Sequence, residues 1–105
     1  DAFRSLASGK IELNLSTNTI ADGLRTYLGE HNFPIILAGV ERIVRLKEGE
    51  IVSAMRLIWE RMKIIVEPSS AICLAAVLSE KEQFAGKRVG ILLSGGNVDL
   101  AKLPF

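Results

Sequence analysis

Apolar and polar positions along this chain follow two different periods. Ile51, Met55, Ile58 and Met62 recur at spacings of four, three and four, which lays one apolar stripe along a helix over 48–63. Glu48 and Glu50 fall in its first turn and Arg61 and Lys63 in its last, each where its charge complements the helix dipole. "KIELNL" instead alternates, with Ile11, Leu13 and Leu15 on one face and Lys10, Glu12 and Asn14 on the other. That pattern predicts a strand with one wet side. "ERIVRL" over 41–46 reads as a further strand, with Ile43, Val44 and Leu46 apolar. "RVGILL" over 88–93 reads as a strand with no wet side, of the kind parallel sheets bury.

The remaining stretches supply helices and loops. "DAFRSLASGK" carries Ala2, Phe3 and Leu6 near helical spacing, with Gly9 placed to cap the C-terminus. It reads as a helix already under way at Asp1, so the chain is expected to begin inside a longer polypeptide. "STNTIADG" is a loop leading to a short helical stretch over 21–27, and "NFPIILAGV" predicts another short helix with Pro34 in its first turn. "IIVEP" runs to Pro68, which suits the start of a helix over 69–78. Ala71 to Val77 are apolar and mostly small on nearly every face of it, which predicts burial all round. "SEKEQFAGK" is a polar connector. The order helix, strand, helices, strand, long helix, buried helix, buried strand is that of an α/β fold. About three strands, with two elements buried on all sides, are hard to enclose in 105 residues. Either the fold is a compact three-layer miniature, or other strands and helices complete its core.

Composition narrows the function classes. Hydrophobic residues make up 49% and charged residues 24% of the chain, so it is expected to bury a core. Thirteen basic and twelve acidic residues are interspersed for a net charge of +1, and without a Lys/Arg cluster nucleic acid is not an expected partner. The longest apolar run, Ala71 to Leu78, is too short to span a bilayer. Cys73 stands alone inside that run, which points to a reducing, cytoplasmic setting.

Three short stretches could carry chemistry. "LLSGGN" ends an apolar run in Ser94, Gly95, Gly96 and Asn97, and ligands of open α/β sheets bind beyond the carboxyl ends of the strands. On spacing alone an ordinary turn is the commoner outcome for such residues. In "VEPSSA", Glu67 is either a carboxylate with a specific partner or a helix-start group satisfied by the amides of Ser69 and Ser70. In "TIADG", Asp22 and Gly23 either lie against a ligand or cap the short helix. His31 is the only histidine, and no Cys or second His lies at ligand spacing, so a zinc site is not expected; one histidine in a loop gives no ground for a Ser-His-Asp arrangement. Trp59, Met55 and Met62 read as core or interface residues.

Taken together and in order, "TIADGLRT", "LIWERMK", "VEPSSA" and "LLSGGNVDL" closely resemble the C-terminal part of the pyridoxal-phosphate enzymes of fold type II, in the serine racemase and serine/threonine dehydratase group. The resemblance runs from "DAFRSL" to "SGGNVDL". It implies the C-terminal portion of a tryptophan-synthase-β-like large domain, an open, mostly parallel sheet flanked by helices, with residues 1–105 one segment of it. Ser94 matches the serine that hydrogen-bonds the pyridine nitrogen of the cofactor, a neutral partner that leaves the ring a weaker electron sink than an aspartate would. Glu67 matches the glutamate near the ring, Gly23 the glycine lining the cofactor cleft, and Gly95 belongs to the same cofactor-binding loop as Ser94. Thr26 stands where the family offers a hydroxyl to the substrate carboxylate. In the racemase branch, Lys63 and Asn97 match nucleotide contacts at a dimer interface, and Asp1 matches an aspartate that helps bind Mg2+ or Ca2+ together with ligands that would precede residue 1.

The family's Schiff-base lysine, its run of four phosphate-binding glycines and its small domain are absent from these residues. Lys10, Lys47, Lys63, Lys81, Lys87 and Lys102 all lack that lysine's context. The resemblance therefore implies no catalytic residue in this chain, and an isolated segment without activity. Its expected role is one wall of the active site in an enzyme that converts a small amino acid to a 2-oxo acid and ammonia, or racemises it. The expected partners are the N-terminal segment of the same enzyme and a second copy. Two other classes remain open at this stage. One is a non-catalytic module that binds an anion or nucleotide at "SGGN"; the other is a regulatory α/β module that uses the helix over 48–63 as its contact surface.

Overall fold

Gly9 closes the first helix in the left-handed conformation, φ 74°, with its N–H bonded to the carbonyl of Ser5, the capping role its position predicts. That helix, α1, spans Ala2–Ser8 in a computed structural model that describes residues 1–105. The chain divides into two compact units, residues 1–19 with 23–45 and residues 20–22 with 46–105.

The first unit holds α1 and α2 (Phe33–Gly39), the latter with Pro34 in its first turn. Buried Ser5 accepts the N–H of Glu12 on its hydroxyl at 2.9 Å, tying the segment after Gly9 back to α1. The guanidinium of Arg45 lies 4.3 Å over the ring of Phe3, a cation–π contact that covers an otherwise open aromatic face. Between residues 21 and 27 the helical conformation is a single 3-10 turn, Asp22–Leu24.

The second unit is built on α3 (Glu48–Leu57) and α4 (Pro68–Ser79), which pack against each other. The Glu50 carboxylate accepts the N–H of Lys47 at 2.6 Å, the returning half of a capping box. Glu48 accepts the N–H of Ile20 at 2.8 Å. Ile51, Met55 and Ile58 are buried with Ala21, Val66 and Ala71, as the stripe predicts. Met62 is not: it is 56% exposed. After Leu57 the helix continues as one π-turn, Ile58–Met62, whose i→i+5 pattern carries Met62 off the line set by the three residues before it. Lys63 ends the turn at φ 59°, a left-handed conformation uncommon outside glycine. Within this segment Arg56 donates to Glu60 at 2.7 Å, and that hydrogen bond holds the Glu60 carboxyl below its usual range.

Two expectations about α4 change. Only Ser70, Ala71 and Ala75 are buried, and Leu78 is 46% exposed, because within these residues only one face meets a neighbour. The polar connector after it forms a short helix, α5 (Lys81–Phe84).

No β-ladder forms. Residues 10–15, 41–46 and 88–93 run without strand pairing, as do 64–67. A strand exists only when a neighbour completes its hydrogen bonds, and these segments lack one over their length. The apolar side chains meant for a sheet are open instead: Leu13, Leu15, Ile64, Ile65, Ile91 and Leu92, the last 76% exposed. One backbone bond does join the segment over 64–67 to the loop after Leu93, from the N–H of Glu67 to the carbonyl of Gly95 at 3.1 Å. No helix is long and apolar enough to cross a membrane.

Candidate functional site

The second unit closes around the turn after Leu93. A β-carbon placed on Gly96 would lie 2.6 Å from the carbonyl oxygen of Ile65, nearer than any side chain tolerates against backbone. The glycine therefore lets the tip run directly along the extended segment that leads into α4. A β-carbon on Gly95 would meet the Glu67 carboxylate, 3.1 Å from its Oε1. The polar end of the apolar run is thus fitted to Ile65 and Glu67, and is more than a solvent-facing turn.

Ser70 is the buried centre of the arrangement. With 0% of its surface exposed, its Oγ accepts the N–H of Gly95 at 2.7 Å, lies 2.8 Å from the Gly95 carbonyl, and lies 3.2 Å from the Oγ of Ser94. Pro68 starts α4 and so sets Ser70 in its first turn, facing the tip. Ser94 itself is exposed. Its hydroxyl is held from behind by Ser70 and is open in front.

Glu67 precedes α4 but makes no side-chain cap to it. Its Oε2 accepts the N–H of Asn97 at 3.0 Å, so the specific-partner alternative holds for this carboxylate and the helix-cap alternative does not. A half-buried acceptor aimed at a backbone donor 30 residues away locks the far side of the loop. Asn97 enters the cluster through that amide.

These residues bring a hydroxyl, backbone amides and a carboxylate together at one tip. The Ser70 and Ser94 hydroxyls bond each other, and that of Ser70 also bonds the Gly95 backbone.

The structure brings Glu67, Ser94, Gly95 and Asn97 together. Ser70 joins them as the member whose hydroxyl sequence reasoning passed over; its one signal was a polar residue opening an apolar helix. Lys63 lies at the end of the π-turn, its ammonium donating to the carbonyl of Glu60 at 2.7 Å. Gly23 is an exposed residue of the Asp22–Leu24 turn, and Thr26 accepts the Asn14 side-chain amide on its carbonyl; both belong to the first unit. Asp1, also in that unit, precedes α1 without a side-chain cap. No group of three or more His, Cys, Asp or Glu gathers to hold a metal ion. One carboxylate falls short of the six or more oxygens that Mg2+ or Ca2+ takes, so Asp1 does not by itself make a cation site.

Comparison with known proteins adds an independent line. Residues 1–95 match the family model for "pyridoxal-phosphate dependent enzyme". The chain is 50% identical over 107 residues to serine racemase of Dictyostelium discoideum, covering 98% of this chain and 33% of that protein. It is 46% identical over 105 residues to β-hydroxyaspartate dehydratase of Paracoccus denitrificans, covering 100% and 33%. Among solved structures, a threonine deaminase of T.th. superposes with a TM-score of 0.89 at 42% identity, over 94% of this chain and 34% of that one. The chain spans about a third of the length of these relatives.

Proposed function

Since the chain belongs to the family of pyridoxal-phosphate dependent enzymes, we propose that it supplies the ring-nitrogen side of the cofactor site in an amino-acid racemase or ammonia-lyase. The observation that carries this reading is the Ser94 hydroxyl, exposed in front and backed by Ser70 at 3.2 Å. A hydroxyl offers one donor and two acceptor lone pairs, so it fits a heteroaromatic nitrogen, which needs one in-plane partner. Glycines at 95 and 96 let the loop lie close against Glu67 and Ile65, which would present Ser94 at the tip.

Pyridoxal phosphate, when bound, supplies an electron-withdrawing ring that spreads the negative charge developing at the amino acid's α-carbon. The residues of this chain would hold that ring at its nitrogen. Ser94 would meet the nitrogen with a neutral hydroxyl, Glu67 would fix the loop through the Asn97 amide, and Gly95 would leave room for the Glu67 carboxylate behind the loop. On the same resemblance, Gly23 lines the cleft by its backbone and Thr26 offers a hydroxyl to the substrate carboxylate.

The relatives' names mark the substrate class: serine, threonine and hydroxyaspartate all carry a β-hydroxyl on an α-amino acid. Removal of the α-proton is the step these reactions share. Return of a proton to the opposite face racemises the centre; loss of the β-hydroxyl leads to a 2-oxo acid and ammonia. The lysine that moves the α-proton comes from the family's N-terminal segment, the proposed partner of this one. The extended apolar segments over 10–15, 41–46, 64–66 and 88–93 are proposed to join the open, mostly parallel sheet of the complete large domain, in a cytoplasmic homodimer. Exposed Lys63 and Asn97 are the proposed nucleotide contacts of the racemase branch.

The test is Ser94→Ala in the complete enzyme. The expected result is a kcat/KM lowered about tenfold or more on serine or hydroxyaspartate, together with weaker retention of pyridoxal phosphate. Unchanged kinetics and retention would remove Ser94 from the cofactor site and return the loop to a turn.

A further inference from the structure

We infer that Ser70 is a positioning residue that sets the direction of the Ser94 proton, and so whether Ser94 meets its ligand as donor or as acceptor. The inference rests on the reading that Ser94 faces the cofactor's ring nitrogen.

The hydrogen-bond inventory at Ser70 carries the argument. Its Oγ has one proton to give. The N–H of Gly95 must donate to it at 2.7 Å, because an amide cannot accept. Two acceptors compete for the Ser70 proton: the carbonyl of Gly95 at 2.8 Å and the Oγ of Ser94 at 3.2 Å. If the proton goes to the carbonyl, Ser94 gives its own proton back to Ser70 and turns only lone pairs outward. If the proton goes to Ser94, the Ser94 proton is free to point outward as a donor.

The Gly95 carbonyl also accepts the N–H of Glu67 at 3.1 Å. It therefore stays satisfied when Ser70 turns away, and the second arrangement leaves no acceptor orphaned. A donor behind Ser94 also polarises its O–H and strengthens the bond it gives in front. Ser70 is fully buried, so water does not replace it as that donor. In the unliganded chain the 2.8 Å bond to the Gly95 carbonyl is the shorter of the two, but the second arrangement is open at no loss of partners, and an unprotonated ring nitrogen would select it by accepting the Ser94 proton. The same pair can reverse when that nitrogen carries a proton.

Dissociation constants for two ligands separate positioning from structure: pyridoxal phosphate, and its analogue with carbon in place of the ring nitrogen. They are measured on the complete apoenzyme by absorbance titration for wild type, Ser70→Ala, Ser94→Ala and the double variant. Loss of one hydroxyl bond should weaken pyridoxal phosphate about three- to tenfold in each single variant. The carbon analogue should bind wild type and Ser70→Ala within a factor of about two, because it has no nitrogen for the proton to reach. The double variant should bind pyridoxal phosphate no more weakly than Ser94→Ala.

Equal weakening of both ligands in Ser70→Ala would overturn the inference and leave Ser70 as a prop for the loop. So would additivity of the two substitutions. If Ser94→Ala itself weakens both ligands equally, the placement of Ser94 at the ring nitrogen fails, whatever Ser70 does. Should Ser70→Ala not fold, Ser70→Cys, close in size and a weak donor, carries the same comparison.

Discussion

The carboxylate of Glu67 bonds the amide of Asn97 at 3.0 Å, reaching across 30 residues of sequence and passing over the helix it precedes. This contact fastens the exit of the loop, while the Glu67 N–H fastens its middle at the Gly95 carbonyl. One residue thereby holds the tip at two points.

Glu67→Ala removes the acceptor and leaves the Asn97 amide to water. A loss of about 1.5–3 kcal/mol is expected, the range for a hydrogen bond to a charged group. Glu67→Gln keeps an acceptor oxygen without its charge and should lose less. Urea unfolding of the complete enzyme measures both, and equal losses would mean that the charge contributes nothing.

The two loop glycines should respond differently to alanine. At Gly96 the new β-carbon meets backbone, the Ile65 carbonyl at 2.6 Å; at Gly95 it meets only the movable end of Glu67. Gly96→Ala is expected to lower the melting temperature by several degrees and to release bound pyridoxal phosphate. Gly95→Ala should do so less, and reversal of that order in a thermal scan would contradict the close approach.

Met55 and Met62 share the predicted stripe but not the same surroundings. Met55 is wholly buried in the core of the second unit, whereas Met62 is open beyond the π-turn. Met55→Ala should cost about 2–5 kcal/mol, and Met62→Ala, if no further subunit covers it, within about 0.5 kcal/mol. Denaturant midpoints of the two variants test the displacement that the π-turn produces.

Glu60 should titrate below its ordinary value of 4.5, because Arg56 donates to its carboxylate. A carboxyl whose folded value is depressed stabilises the fold above its unfolded value and gives that up as pH falls through the folded one. Carboxyl chemical shifts followed through acid titration should show the Glu60 midpoint rising toward 4.5 in Arg56→Ala. Added salt should shrink the difference, since the pair is exposed.

How much of this was legible in the sequence depends on how local each signal is. Gly9 and Pro68 bound their helices as expected because capping is settled within a few residues. The stripe of Ile51, Met55 and Ile58 was legible for the same reason, and failed only at Met62, where no glycine or proline announces the π-turn. Alternation at 10–15 marks residues able to pair, but pairing needs a neighbour that the pattern does not supply. The partner of Glu67 was hidden because local spacing offered a nearer one, the amides of its own helix. Ser70 looked like one small residue among many; its importance comes from facing Gly95, a relation fixed by tertiary approach.

The open segment over 88–93 has a further consequence. Val89, Ile91 and Leu92 are exposed on a stretch that is neither helix nor paired strand, and apolar backbone left unpaired in this way is a template for any passing strand. Correct assembly is then a kinetic contest, in which an intramolecular neighbour must dock before a second molecule does. Expressed without its neighbours, this segment should nucleate aggregates, and a single charge placed at Leu92 should slow them.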